Sequence, residues 1–473
     1  MCLDKASIRR HHGKRIRSGV GLTAEIALLN KLAVTLAADS AVTFGSGDAT
    51  KVYNSAEKIF EGTNHDPIGV MVYNSPELNG VPVESIVKMY RDGSCEQHFP
   101  TVFDYAEAFL RHVEKMDAPE RTILDNIQGL GAAKMAAMQT LIRQATDEFF
   151  RAFQSGEREV AQDQIKTALE ADIVLLLEAE EISLREIPPQ PWSDGISEED
   201  IAKSHGEALE GLVDFFLGDA PLVEGAIRHR LVTIAVLAIL KEYQTHRLTG
   251  LVFAGFGCSE IFPSLVAYEV YGVVAGKLKC REINRFDVDR KLVPDAAIFP
   301  FAQKEMVDRF MYGLDGEFLD LAETFFAGSL TRLKEHLSTL LGDDHEAKEA
   351  ISPAIDVILN EFRDVVMPDH LKRSGAQLAD IVRAMPKQEL ASLAESLVHI
   401  TSLKRKFSAG AESVGGPIDV AMITRAEGFV WVKRKHYFDP GLNPRYFNRR
   451  YNTKPPTAAS SAAPAVSPES PER

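Results

Sequence analysis

The sequence predicts an α+β protein in which antiparallel sheets are layered and helices pack outside them. Three observations carry this. Apolar residues alternate with period two in separate blocks, at 23–71, 248–279 and 416–435. Between the blocks the spacing changes to three and four, the period of amphipathic helices, from about Pro82 to Arg247 and from about Gln303 to Lys406. The strands also come in hairpin groups and not singly between helices, which argues for antiparallel sheets over a βαβ repeat.

The first block opens with TAEIALL, a turn at NK, and LAVTLAAD. Asn tolerates positive φ, so Asn30 and Lys31 are expected to form a two-residue turn. Leu29 then faces Leu32, paired residues sum to 61, Thr23 lies opposite Ala38, and Asp39 falls one step beyond the strand pair. KIFEG and IGVMVY read as two further short strands. VFDYAEAFLRHVEKM and EGAIRHRLVTIAVLAILKEYQ carry the helical period, with the Pro-broken EIPPQPWSDGISEED between them. Strands return at LTGLVFAGFG and SLVAYEVYGVVAGKLK, and GPIDVAMITRA with GFVWVKRK closes the domain. Both ends read as additions. Residues 1–22 are a basic extension with six Lys or Arg and one acid, and 452–473, rich in Pro, Ala and Ser, are expected to be disordered. The organisation is thus an extension at 1–22, a domain at 23–451 with helical insertions at about 93–247 and 303–406, and a tail at 452–473.

Composition narrows the function. The 473 residues carry 53 Lys and Arg against 68 Asp and Glu, a net charge of −15. That balance argues against a broad nucleic-acid-binding surface. No apolar run reaches membrane-spanning length. The four cysteines, Cys2, Cys95, Cys258 and Cys280, form no CxxC pair, and no metal-binding or nucleotide-binding motif is present. No cofactor, no metal, no nucleic-acid partner and no membrane partner are expected, and a cytoplasmic location fits best. Cys258 reads as a buried structural cysteine.

A hydroxyl at a strand start near a carboxylate at the end of the next strand is, by pattern alone, a capped hairpin. The wider sequence resembles something more specific. TAEIALLNKLAVTLAADSAVT resembles the opening of proteasome β-subunits and the related bacterial peptidases, members of the N-terminal-nucleophile (Ntn) hydrolases. In that family a threonine opens the mature chain and an Asp-Ser or Asp-Gly pair follows; here Asp39 lies 39 − 23 = 16 residues after Thr23, with Ser40 next. EKIFEG resembles the segment that carries the family's catalytic lysine, which falls on Lys58. IGVMVYNSPE resembles the strand whose backbone N–H forms the oxyanion site, matched by Tyr73. GLVFAGFG, AIFPFAQKEMVDRFMYGLD and SVGGPIDVAMITRAEGFVWV resemble later segments, in the right order. The resemblance implies a four-layer αββα sandwich with Thr23, Asp39 and Lys58 as catalytic residues, and a homo-oligomer.

The departures are equally specific. The loop before Lys58 is longer than the family's, and Lys51 competes for the same role. The family's supporting serine falls at Pro300 or Phe301. Its Asp and Ser before the final Gly-Gly fall at Ala411 and Val414, so Glu412 and Ser413, one position away, are the supporting candidates together with Ser40. The helical blocks are much larger than the usual helices of the ring-forming subunits.

The chemistry explains the residue types. A threonine hydroxyl needs a base, and a terminal threonine supplies its own α-amine, which titrates at about 7.7–8.0. A lysine tunes that proton transfer, a carboxylate fixes the lysine, and backbone N–H groups hold the oxyanion. Two functions follow: a threonine hydrolase cleaving amide bonds in peptides or small amides, or a catalytically inactive Ntn-fold assembly or binding protein. The first needs a free Thr23, reached by cleavage after Leu22 or by a translational start at position 22.

Overall fold

Asn30 sets the first hairpin. Its side-chain oxygen accepts the N–H groups of Leu32 and Ala33 at 2.9 and 3.3 Å, while its own N–H donates to the Ala33 carbonyl at 3.1 Å. An Asx side chain that captures the backbone ahead of it closes a wider turn than a two-residue one. Leu29 therefore pairs with Val34, and paired residues sum to 63, not the expected 61. The shift of two leaves every side chain on its expected face. It also brings Asp39 opposite Ala24, whose carbonyl accepts the Asp39 N–H at 3.1 Å.

The computed structural model describes residues 23–44, 51–93, 97–218, 225–243, 248–288, 295–341, 345–407, 415–445 and 448. The expectations for 1–22, for 452–473 and for the supporting residues Glu412 and Ser413 lie outside the described residues. In chain order the strands are β1 (Ala24–Asn30), β2 (Val34–Ala38), β3 (Val42–Phe44), β4 (Lys51–Tyr53), β5 (Ile59–Glu61), β6 (Ile68–Asn74), β7 (Glu77–Leu78), β8 (Val81–Pro82), β9 (Thr249–Gly255), β10 (Ser264–Val274), β11 (Lys277–Asp287), β12 (Ala296–Ala302), β13 (Asp419–Thr424) and β14 (Gly428–Lys433). The helices are α1 (Val83–Gly93), α2 (Val102–Glu114), α3 (Glu120–Ser155), α4 (Ile165–Glu186), α5 (Glu198–Leu217), α6 (Gly225–Lys241), α7 (Glu305–Tyr312), α8 (Gly316–Leu340), α9 (His345–Glu361), α10 (Met367–Ala384) and α11 (Lys387–Lys406).

The protein is mixed α and β, with antiparallel sheets. One five-stranded sheet runs β12-β1-β2-β13-β14 and another runs β11-β10-β9-β6-β5. Their inner faces share one apolar core, in which Ala27, Leu29 and Leu36 of the first sheet meet Met71, Val252 and Ala267 of the second. Gly69 on β6 faces the first sheet, where a Cβ would lie 2.5 Å from Ile423 Cδ1 and 2.9 Å from Leu36 Cδ1, so a side chain there would require these two to shift.

The other face of the first sheet is covered by α7, α10 and α11 through residues such as Val307, Val382 and Leu397. The other face of the second sheet is covered by α1 and α2 through Ile86, Tyr105 and Phe109. Helices α3 to α6 build a core of their own around Ile173, Leu209 and Leu231, joined to the sheet by Tyr271 and Val274 of β10. Helix α8 buries none of its residues. Among the described residues no helix is long and apolar enough to cross a membrane. The chain from Lys435 onward is a separate short unit, in which Asp439 accepts the Gly441 N–H at 2.7 Å.

Candidate active site

Thr23, Glu25, Ala27 and Leu29 lie on one face of β1, the face toward the second sheet. Apolar Ala27 and Leu29 continue into the shared core. Thr23 and Glu25 end the row with polar groups, and both are buried. Across the sheet Glu25 is paired with Ala38 on β2 and with Phe301 on β12. Apolar neighbours therefore enclose its carboxylate on both sides.

Lys58, just before β5, reaches into this space and is 5% exposed. Its ammonium donates to Glu25 Oε1 at 3.0 Å and to Asp39 Oδ1. The other Glu25 oxygen, Oε2, accepts the Thr23 hydroxyl at 3.0 Å. Asp39 is held in turn by backbone donors: Ala24 N–H at 3.2 Å on Oδ1, and Gly415 N–H at 2.9 Å and Ala41 N–H at 3.4 Å on Oδ2. A continuous chain of hydrogen bonds thus runs from the Thr23 hydroxyl through Glu25 and Lys58 to Asp39.

One ammonium faces two buried carboxylates. Burial pushes the Glu25 carboxyl up to about 7; the Lys58 charge opposes this and the Asp39 charge adds to it. For Lys58, burial disfavours the ammonium, but Glu25 and Asp39 together outweigh burial and raise it above its ordinary 10.5. Glu25 is the group that changes charge near neutrality.

The structure brings Thr23, Asp39 and Lys58 together. Lys51 is instead exposed on β4, paired with Phe44 of β3. Ser40 is adjacent but turned away. Its hydroxyl donates to the Pro417 carbonyl and its N–H to the Gly415 carbonyl at 3.2 Å, which ties the end of β2 to the start of β13. Gly416 makes that close seam possible, with φ of 78° and a virtual Cβ 2.9 Å from Asn54 and 3.3 Å from Ser40. Phe301 stacks on Tyr73 with ring centroids 5.4 Å apart and brings no polar group to the site. Cys258, expected to be buried, is exposed in the turn after β9.

The Tyr73 N–H, expected at the oxyanion site, lies on the β9 side of its strand. Val72 N–H donates to the Lys58 carbonyl at 2.8 Å, so Val72 faces β5. Backbone groups alternate along a strand. Tyr73 therefore turns toward β9, opposite Gly250, and Asn74 turns back toward the β5 edge, beyond the end of that strand. Asn74 has φ of 64°, a conformation more usual for glycine, and lines a cavity of about 170 Å³ with Ala56, Lys58 and Ser75. The Tyr73 side chain goes into the core. Its hydroxyl has no partner among the described residues, and burial, with the charges of Glu269 and Glu25, keeps it protonated.

Sequence reasoning did not single out Glu25, which the structure places between Thr23 and Lys58. Glu25 carried a signal: an acid on the inward face of a strand whose other inward residues are apolar has to find a buried partner. Among the described residues no group of three or more His, Cys, Asp or Glu is arranged to hold a metal ion. No known family model matches the chain, and no curated protein matches it in sequence.

Proposed function

We propose that this chain is a threonine-type hydrolase of amide bonds in peptides or small amides, built on a four-layer αββα sandwich of the Ntn-hydrolase kind with helical insertions. The observation that carries the reading is the buried chain Thr23–Glu25–Lys58–Asp39, in which a hydroxyl is hydrogen-bonded to a network of opposed charges. A buried charged network that does not serve packing is characteristic of a functional site. The two facing sheets with helices on both outer faces support the scaffold. In this reading Thr23 Oγ1 attacks the carbonyl carbon, Lys58 stabilises negative charge beside it, Asp39 fixes Lys58, and the Asn74 N–H faces the oxyanion. The same reading includes a homo-oligomer in the cytoplasm; exposed Phe318, Leu321 and Phe325 on α8 support the oligomer.

A second reading, a catalytically inactive assembly protein on the same scaffold, is favoured by one observation. Thr23 is only 1% exposed, so a substrate reaches its hydroxyl only after the chain around it moves. Hydrolysis of a panel of fluorogenic peptide amides separates the two. The first reading expects turnover that Thr23→Ala abolishes. Turnover absent from the wild type across the panel supports the second, and turnover unchanged in Thr23→Ala overturns Thr23 as the nucleophile.

A further inference from the structure

We infer that Glu25 is the general base for the Thr23 hydroxyl, so that this threonine is activated without a free α-amine. The inference rests on the threonine reading above and goes beyond it, because a terminal threonine would use its own amine. Among the described residues, the only side chain that accepts a hydrogen bond from Thr23 Oγ1 is that of Glu25, at 3.0 Å. That distance lies within the reach a base needs. Asp39, the other carboxylate, is turned away from Oγ1. Its oxygens are occupied by Lys58 and by the N–H groups of Ala24, Ala41 and Gly415. Lys58 is held as an ammonium between two carboxylates and has no free lone pair for a proton.

The groups facing Glu25 divide the work. Lys58 approaches from the segment before β5 and Asp39 from the end of β2, while Tyr73 on β6 is near enough to feel the Glu25 charge. Tyr73 stays neutral. Ionised Glu25 and Asp39 with one Lys58 leave a net single negative charge in a buried space. Proton uptake by Glu25 neutralises it, and burial already raises this carboxyl to about 7. A base poised near the working pH is the most effective kind.

The step balances as follows. Glu25 Oε2 takes the proton from Thr23 Oγ1 as the Oγ1 lone pair forms a bond to the amide carbon, and the carbonyl π pair moves onto oxygen. When that pair returns, the C–N bond breaks and the departing nitrogen takes the proton from Glu25. An ester to Thr23 remains. Water then attacks the ester carbon as Glu25 takes one of its protons. The C–O bond to Thr23 breaks, the threonine oxygen recovers the proton, and the acid leaves.

The test is acylation of the full chain by a β-lactone, with the modified residue and the state of the Leu22–Thr23 bond read by mass spectrometry. The expected result is an adduct on Thr23 in molecules whose Leu22–Thr23 bond is intact. Its rate should rise with pH through an inflection near 7 and fall roughly 10²–10⁴-fold in Glu25→Gln, the range for loss of a general base. Glu25→Asp is expected to keep the inflection at reduced rate, and a thermal melt checks that each variant is folded. Should a variant fail to fold, the wild-type pH profile and the bond state still decide. Adducts confined to molecules cleaved before Thr23, a Glu25→Gln rate equal to wild type, or a wild-type rate without an inflection between pH 5 and 9 would overturn Glu25 as base and leave the threonine reading standing. No adduct on Thr23 in any sample would overturn both.

Discussion

Among the described residues two lysines are buried, and they are stabilised in opposite ways. Lys58 lies between the carboxylates of Glu25 and Asp39, which raise it above 10.5. Lys279, on β11, is fully buried and makes no carboxylate contact. Its ammonium donates to the carbonyls of Ile239 and Glu242 at the C-terminal end of α6. The rings of Trp192 and Tyr243 lie 5.1 Å away and that of Tyr271 5.8 Å away. Burial lowers Lys279 to about 7, with Glu242 opposing and Arg281 adding. The carbonyls and ring faces give it partial charges only. The difference is one of counter-charge: Lys58 faces two full negative charges, whereas Lys279 caps the end of α6 with partial charges alone.

The largest effect should come from removing the first lysine. Lys58→Ala leaves Glu25 and Asp39 facing each other without a cation. Breaking a buried pair from one side costs roughly 3–5 kcal/mol. Urea unfolding at pH 7.5 measures it. A loss under about 1 kcal/mol would mean that water reaches the site and that the carboxylates are not enclosed as described.

Glu25→Gln should act in the opposite direction. The Glu25 carboxyl is raised from 4.5 to about 7, so between those values the folded chain holds more protons than the unfolded one. Stability from this group is fully present below 4.5 and is lost as pH rises to about 7. Gln carries no charge, and its carbonyl can still accept from Lys58. The variant is therefore expected to be more stable than wild type at pH 8, by about 3 kcal/mol at most, less the lost Thr23 hydrogen bond. The gap should close as pH falls from 7 to 4.5. Paired thermal or urea melts across that range check it, and a gap independent of pH would remove Glu25 as the group that titrates near neutrality.

How much of this could be read from the sequence depends on whether the information was local. The strand and helix blocks were legible because the periods two and 3.6 are written along the chain. So was the company of Thr23, Asp39 and Lys58, through a resemblance in residue order. The hairpin register was not, because Asn30 acts through its side chain on Leu32 and Ala33 and not through its own φ. The direction of the Tyr73 N–H was not legible either, because strand phase depends on the Val72–Lys58 contact, which no spacing in the sequence states. Lys279 gave no signal at all. In the sequence it is one of two lysines in GKLK, and only the packing of α6, Trp192 and Tyr271 around it sets it apart from half-buried Lys277.

The smallest effect at neutral pH belongs to Lys279→Met. Methionine fills a similar volume, adapts to aromatic neighbours and removes the penalty of a buried ammonium. Against this, the last carbonyls of α6 lose their donor, a cost of roughly 1–2 kcal/mol. The two terms oppose each other at pH 7. The pH dependence is what distinguishes this site from the other. Lys279 has a folded value below its unfolded 10.5, so between about 7 and 10.5 the unfolded chain holds more protons. Wild-type stability relative to Lys279→Met should therefore rise with pH above 7, by at most ~1.4 kcal/mol per unit. For Lys58 the order is reversed: its folded value lies above 10.5, and its contribution is lost only as pH climbs through that higher value. Urea melts of wild type and Lys279→Met at pH 6, 7.5 and 9 measure the difference. A difference that stays constant would show that two carbonyls and three rings hold the ammonium as firmly as two carboxylates do, and the contrast between the two lysines would fail.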